Sequence, residues 1–116
     1  MTTDPACIFC KIASGQIPST QVFRDEISIA FHDIHPAAPV HVLVIPIRHV
    51  TFVAGLKHED EPLLGHLLRV GATVARQKGI DASGYRLLVN QGPNAGQQVD
   101  HLHVHVLGGR RLGAMA

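Results

Sequence analysis

Between residues 101 and 106 the chain reads His101-Leu102-His103-Val104-His105-Val106, three imidazoles alternating with three aliphatic side chains. A period of two fits a β-strand and no helix, because successive side chains of a strand point to opposite faces. The pattern therefore predicts a strand with all three histidines on one face and Leu102, Val104 and Val106 on the other. Imidazole can act as nucleophile, acid, base and metal ligand near neutral pH, so three copies on one face point to chemistry rather than to a solvated surface.

Two chemistries suit such a face. Same-face residues are roughly 6.6–6.8 Å apart along a strand, whereas zinc–nitrogen bonds are about 2.0–2.1 Å. Two neighbouring histidines can share one metal, but three in a row are strained around it. The other use is a work surface for an anionic substrate, with one imidazole attacking and the others binding or moving protons. The segment just before the histidines supports that use. Asn90-Gln91-Gly92-Pro93-Asn94-Ala95-Gly96-Gln97-Gln98 combines neutral donors with two glycines. Gly92 and Gly96 allow close backbone approach, and exposed N–H groups in such a turn can form an anion-binding nest. Alone this loop is ordinary turn chemistry; its place beside the histidines gives it weight.

The 116 residues suit a single domain covering the whole chain, 1–116. With 46% hydrophobic and 16% charged residues, the chain is not a disordered one. The formal net charge is +1, and only Arg110-Arg111 places two basic residues together, so no basic stripe argues for duplex nucleic acid. Four Phe and one Tyr are too few for a base-stacking platform on single strands. Apolar runs are short, which argues against a membrane span. Met1-Thr2-Thr3-Asp4-Pro5 lacks the basic start and apolar stretch of a signal peptide. These readings give a cytoplasmic protein with neither nucleic acid nor membrane as partner.

The only two cysteines are Cys7 and Cys10. In the cytosol a structural disulfide is disfavoured, and a thioredoxin-type motif belongs after a strand in a βαβ pattern. Half of a zinc site suits the C-x-x-C pair better, although two small buried hydrophobes on one helix face would read the same way.

The remaining pattern is α+β. Asp4-Pro5 can open a short helix closed by Gly15. Val22–Arg24 and Ile27–His32 read as strands about a turn at Asp25-Glu26, and His41–Ile45 as a third before Pro46. Asp60 can cap a long helix running through Lys78, with Leu63, Leu64, Leu67, Leu68, Gly71, Val74 and Ala75 on its core side. Tyr85–Asn90 and Val99–Leu107 complete five strands, expected to form an antiparallel sheet. His58 and His66, near and on the long helix, read as solvated.

Beyond these patterns, His101-Leu102-His103-Val104-His105-Val106-Leu107 resembles the signature of the histidine triad (HIT) superfamily. Ile8-Phe9-Cys10-Lys11-Ile12, Ile17-Pro18, Ala30-Phe31-His32-Asp33-Ile34, Ala38-Pro39-Val40-His41, Val44-Ile45-Pro46, Gly84-Tyr85-Arg86 and Leu107-Gly108-Gly109-Arg110 resemble its Hint-like branch. The likeness covers nearly the whole chain.

This resemblance implies a HIT fold: a five-stranded antiparallel sheet with one long and one short helix, the sheet continued across a homodimer. It also implies hydrolysis of purine nucleoside 5'-phosphoramidates or acyl-nucleotides, releasing AMP or GMP through a nucleotidyl-histidine intermediate. His103 matches the nucleophile, and His105 and His41 match the groups that contact phosphoryl oxygens and manage protons. Gly96, Gln98 and Asn90 match the phosphate side. Asp33 matches the ribose acceptor, with His32 beside it. Ile8, Phe9, Ile12, Phe31, Ile34 and Leu43 match the base pocket, though ordinary core explains these aliphatics equally well.

The resemblance further implies a structural Zn2+ held by Cys7, Cys10, His49 and His101. Such a metal would pin the N-terminal helix to the catalytic strand and leave His103 and His105 for chemistry. Some positions depart from the branch. Gln98 stands where some members have serine, Asp100 stands where an aromatic is common, and few residues follow Arg111. These bear on the leaving group. Three readings therefore compete: the phosphoramidate or acyl-nucleotide hydrolase; a dinucleoside polyphosphate hydrolase or nucleotidyltransferase of the same superfamily; and a nucleotide-binding regulatory module with negligible turnover.

Overall fold

A computed structural model describes residues 2–115. Five strands form one antiparallel sheet: β1 Gln21–Arg24, β2 Ser28–His32, β3 Val40–Pro46, β4 Tyr85–Leu88 and β5 Val104–Gly108, in the order β1-β2-β3-β5-β4. A short helix, α1 (Ile8–Ala13), precedes β1, and a long helix, α2 (Glu61–Gln77), lies between β3 and β4. Among the described residues no helix is long and apolar enough to cross a membrane.

The period-two pattern sorts side chains onto the two faces of the sheet. Ala30, Val42, Val44, Val104 and Val106 join Leu102 against Leu67, Val70, Val74 and Ala75 of α2. Gly71 lets this helix lie close, since a Cβ there would come within 2.9 Å of Leu87 Cδ2. The opposite face carries Ile29, Phe31, Leu43 and Ile45, packed against Phe9, Ile12 and Ala13 of α1. The histidines share this second face.

Several boundaries differ from the sequence expectation. The last strand begins at Val104 rather than Val99, so only His105 of the three histidines lies within a paired strand. The cause is its partner. Pairing with β3 stops at Val44 opposite Val104, and the Leu102 N–H donates instead to Val50 O at 2.6 Å. His101 and His103 still keep the side opposite Leu102, so the alternation survives without the ladder. The N-terminal helix starts later than Asp4-Pro5 suggests. Its N-cap is Cys7, whose sulfur accepts the Cys10 N–H at 3.5 Å, while Asp4 Oδ1 takes the Ala6 N–H. Asp60 does not cap α2 through its side chain. Its carboxylate closes the preceding 3-10 turn by accepting from Lys57 N at 3.0 Å and from Arg48 Nη1 at 2.9 Å.

His66 is also more than a solvated residue. Its Nε2 lies 2.7 Å from Asp25 Oδ2 and 3.3 Å from the buried Ser28 Oγ, tying α2 to the β1–β2 turn. His58 is as exposed as expected and meets Glu61 one turn on.

Candidate functional site

Register brings the histidines together. Leu43 pairs with His105 and His41 with Leu107 across β3 and β5, so His41 and His105 sit diagonally on one face. Their rings meet, with His41 Nε2 2.9 Å from His105 Nδ1. Asp33, just past β2, places Oδ2 3.4 Å from His41 Nε2. The His103 and His105 ring centroids are 4.9 Å apart, and Phe9 packs edge-on against His103 at 5.2 Å.

Backbone partners decide which nitrogens carry protons. The Ala37 N–H donates to His41 Nδ1 at 3.0 Å, so in neutral His41 the proton is on Nε2. That N–H points at His105 Nδ1, which then accepts and leaves its own proton on Nε2. His105 Nε2 is buried without a partner. His103 Nδ1 lies 2.7 Å from His101 O and must donate to it, which leaves the lone pair on His103 Nε2. The cluster thus holds one free lone pair, on His103 Nε2, and one unpaired N–H, on the buried Nε2 of His105. Burial holds both members of the relay neutral at pH 7. His105 is lowered to about 4, chiefly by desolvation and further by His103 and His41. His41 is lowered by the same burial against the opposing pull of Asp33.

These values have a measurable consequence for stability. Below the ordinary histidine pKa of 6.5 the unfolded chain binds a proton that folded His105 refuses until about pH 4. Stability is therefore complete above the unfolded value and is lost as pH falls through that window, His41 acting in the same direction. We expect roughly 1 kcal/mol from His105 by about pH 5, discounted for its partial exposure. Urea midpoints between neutral and acid pH measure it, and His105→Asn should flatten the slope.

Two cavities open on the cluster. One, about 250 Å3, is walled by Phe9, Ile12, Phe31, Leu43 and Val99, with Asp33, His103 and His105 at one end and the largely exposed Ile34 at the rim. The other, about 230 Å3, is lined by Asp33, His41, Asn90, Gly96, Gln98, His103 and His105. Gly96, at φ +86°, ends the 3-10 turn Pro93–Ala95 in a left-handed conformation that favours glycine. An apolar slot thus joins a polar pocket at the histidines.

Not every sequence candidate arrives in the same way. His32 borders the apolar cavity, but its Nε2 accepts from Lys78 Nζ at 2.9 Å beyond the C-terminus of α2. Its ring is thereby engaged away from the triad. Gln91 is no free donor, because Oε1 takes the Val53 N–H and Nε2 donates to Asn90 O. Asn94 is exposed on the turn. Two residues carry more than the sequence suggested. Gln97 ties the loop shut by accepting from Gly92 N at 2.8 Å and donating to Thr51 O and Val99 O. His35 lines both cavities; only its closeness to Asp33 in sequence hinted at this.

Beside the triad, Cys7, Cys10, His49 and His101 form a four-donor cluster that can hold a metal ion, its ligand atoms all within 4.8 Å of one another. Sulfur–nitrogen separations are 3.3 Å (Cys7–His101), 3.4 Å (Cys10–His49) and 3.6 Å (Cys10–His101). A tetrahedral zinc, with bonds of about 2.3 Å to sulfur and 2.0–2.1 Å to nitrogen, separates such atoms by roughly 3.5 Å. The outer partners also fit. His101 Nε2 lies 2.8 Å from Pro46 O and His49 Nε2 3.4 Å from Thr51 Oγ1, the acceptors that a metal-bound imidazole needs for its other N–H. Asp33, His41 and His105 form a second compact group. There the Ala37 N–H occupies His41 Nδ1, so His41 Nε2 carries a proton where a metal would need a lone pair. The two clusters are chemically distinct: one suits a metal, the other a proton relay.

A HIT domain model matches residues 14–112. The chain belongs to the HIT family. It is 45% identical over 108 residues to the purine nucleoside phosphoramidase of Escherichia coli K12, covering 93% of this chain and 91% of that protein. A histidine triad protein from Clostridium difficile superposes with a TM-score of 0.95 at 39% identity, covering 99% of this chain and 100% of the other. A HIT family hydrolase from Clostridium thermocellum gives 0.93 at 45% identity, with 97% of each chain covered. This HIT protein also shares with those two structures its α+β sheet and single long helix.

Proposed function

We propose that this HIT protein hydrolyses purine nucleoside 5'-phosphoramidates or acyl-nucleotides to the nucleoside monophosphate. One observation carries the reading. The His103 Nδ1–H is committed to His101 O, so Nε2 presents a lone pair where the apolar and polar cavities meet. A purine fits the apolar slot, Asp33 stands where ribose hydroxyls need an acceptor, and the α-phosphate falls among Gly96, Gln98, Asn90 and His105. His103 Nε2 bonds to phosphorus as the P–N or acyl P–O bond breaks. Water then releases the monophosphate. Splitting one displacement into two is nucleophilic catalysis. The His105 Nε2–H, buried without a partner in the protein, donates to the phosphoryl group as charge develops. An amine leaving group takes up a proton in the first step and water gives one up in the second, so the histidines end as they began.

The Cys7-Cys10-His49-His101 cluster is assigned to a structural Zn2+. The cytoplasm, where thiols stay reduced, suits two unpaired cysteines. A second copy of the chain is the partner of the β4 edge. Beside it Leu64, Leu67, Leu68 and Val89 border an apolar hollow of about 200 Å3, and Leu68 and Val89 are exposed. Sedimentation at micromolar concentration would return twice the 12.5 kDa chain mass; a monomer there rejects the dimer.

The test of activity is release of AMP from an adenosine 5'-phosphoramidate and from a diadenosine polyphosphate, followed side by side. Faster cleavage of the phosphoramidate is the expected outcome. Preference for the polyphosphate moves the protein to the neighbouring HIT activity, and tight AMP binding with no turnover of either replaces catalysis with a regulatory role.

A further inference from the structure

We propose that Arg110 is a positioning residue which, with Gly109, fixes the direction of the His41–His105 hydrogen-bond relay from outside the site. This rests on the hydrolase reading above for its effect on turnover, though not for its effect on His41 itself.

The β3–β5 ladder ends at Val40 opposite Gly108. Gly109 follows at φ +93°, a left-handed conformation, and a Cβ there would come within 2.9 Å of Pro39 Cβ and 3.4 Å of Val40 N. Both conditions call for glycine. The turn so made folds the chain back against the segment that leads into β3, and Arg110 reaches over it. Its Nη2 donates to Ala37 O at 3.1 Å, while Nη1 donates to Arg111 O at 2.9 Å. Ala37 is the residue whose N–H donates to His41 Nδ1. The guanidinium therefore holds the carbonyl of the same residue whose amide sets the tautomer of His41.

The consequence travels inward by hydrogen bonds alone. With Nδ1 occupied by a donor, His41 directs its Nε2–H to His105 Nδ1, which leaves the His105 proton on its buried, unpartnered Nε2. If the Ala37 amide turns away, the Asp33 carboxylate 3.4 Å from Nε2 is the one neighbour left to favour the proton there, and His41 gains access to the other tautomer. Its Nε2 then becomes an acceptor, and His105 reverses with it, aiming a lone pair instead of a proton at the phosphoryl group. Ala37 and Arg110 are themselves exposed, so the device is held by geometry, not by burial. Pro36 and Pro39 bracket it and restrict the loop's φ angles.

The experiment uses Arg110→Ala and Arg110→Lys in the full chain with its metal, labelled with 15N in histidine. Long-range 1H–15N spectra distinguish protonated from unprotonated ring nitrogens. Wild type is expected to show His41 with the proton on Nε2; Arg110→Ala is expected to show a mixture. Its kcat should fall about three- to tenfold, the range that one hydrogen bond corresponds to, with KM little changed, and Arg110→Lys should recover most of the loss. A purely structural role would lower the melting temperature and leave the His41 tautomer intact. Arg110→Ala with an unchanged His41 spectrum and kcat within twofold of wild type overturns the proposal, as does a drop in kcat without any change at His41. If wild type itself releases no AMP, the hydrolase reading fails, while the His41 spectra still decide the role of Arg110.

Discussion

His103→Ala is expected to abolish nucleotide release, by at least about 10³-fold in kcat, while nucleotide binding stays within a few-fold of wild type. The asymmetry follows from what the ring does. Its Nδ1 is spent on His101 O, and its remaining nitrogen is the one proposed to form the covalent bond, so no neighbour can take its place. His105 is the nearest imidazole, but its Nδ1 faces His41 and its Nε2 carries a proton. The apolar slot proposed for the base keeps Phe9, Ile12, Phe31 and Leu43 when His103, one of its lining residues, is truncated. Single-turnover assays and AMP binding by calorimetry measure the two effects separately. Full activity in this variant would remove the proposed intermediate. Loss of binding together with turnover would make His103 a ligand contact instead.

Removing the proposed metal is expected to have the second-largest effect. Chelation, or Cys10→Ser, should lower the melting temperature by about 10 °C or more, since metal affinity in such sites is folding free energy. Burial raises the Cys10 thiol pKa in the metal-free chain, an effect reinforced by Cys7. Zinc must displace those protons, so affinity should weaken as pH falls. Turnover should also suffer, because His101 has two roles. Its ring belongs to the metal cluster, and its carbonyl fixes the proton on His103. Elemental analysis of protein purified without chelator should find about one zinc per chain. Absence of zinc, with melting unaffected by chelator, would reject the assignment.

How far could residues alone lead? The alternation at 101–106 was legible because period two has one structural meaning, and the division of His103 and His105 from Val104 and Val106 follows directly from it. The C-x-x-C pair was legible only as half a site. His49 lies 39 residues from Cys10, and nothing local marks it; the family resemblance supplied it. The long helix and its N-cap position at Asp60 were visible, but not that the Asp60 side chain serves Arg48 and Lys57 instead of the helix. His66 looked like a surface residue since its partner, Asp25, is 41 positions away. Arg110 was hidden for a related reason. Its effect passes through the backbone of Ala37, and main-chain hydrogen bonds leave no trace in side-chain identity.

The placement of the histidines within the sheet sets which parts of the molecule can loosen. His41 and His105 stand on β3 and β5, each flanked by a strand on both sides, while the edges are β1 and β4. Fraying strips β1, or β4 where no second copy covers it, before it reaches the His41–His105 pair. The parts of the cavity walls supplied by α1 and the 90–100 loop lie outside the ladder. Amide exchange should therefore be slowest at Val42, Val44 and Val106 and fast through the loop. Opening confined to those parts would leave the alignment of the paired histidines undisturbed.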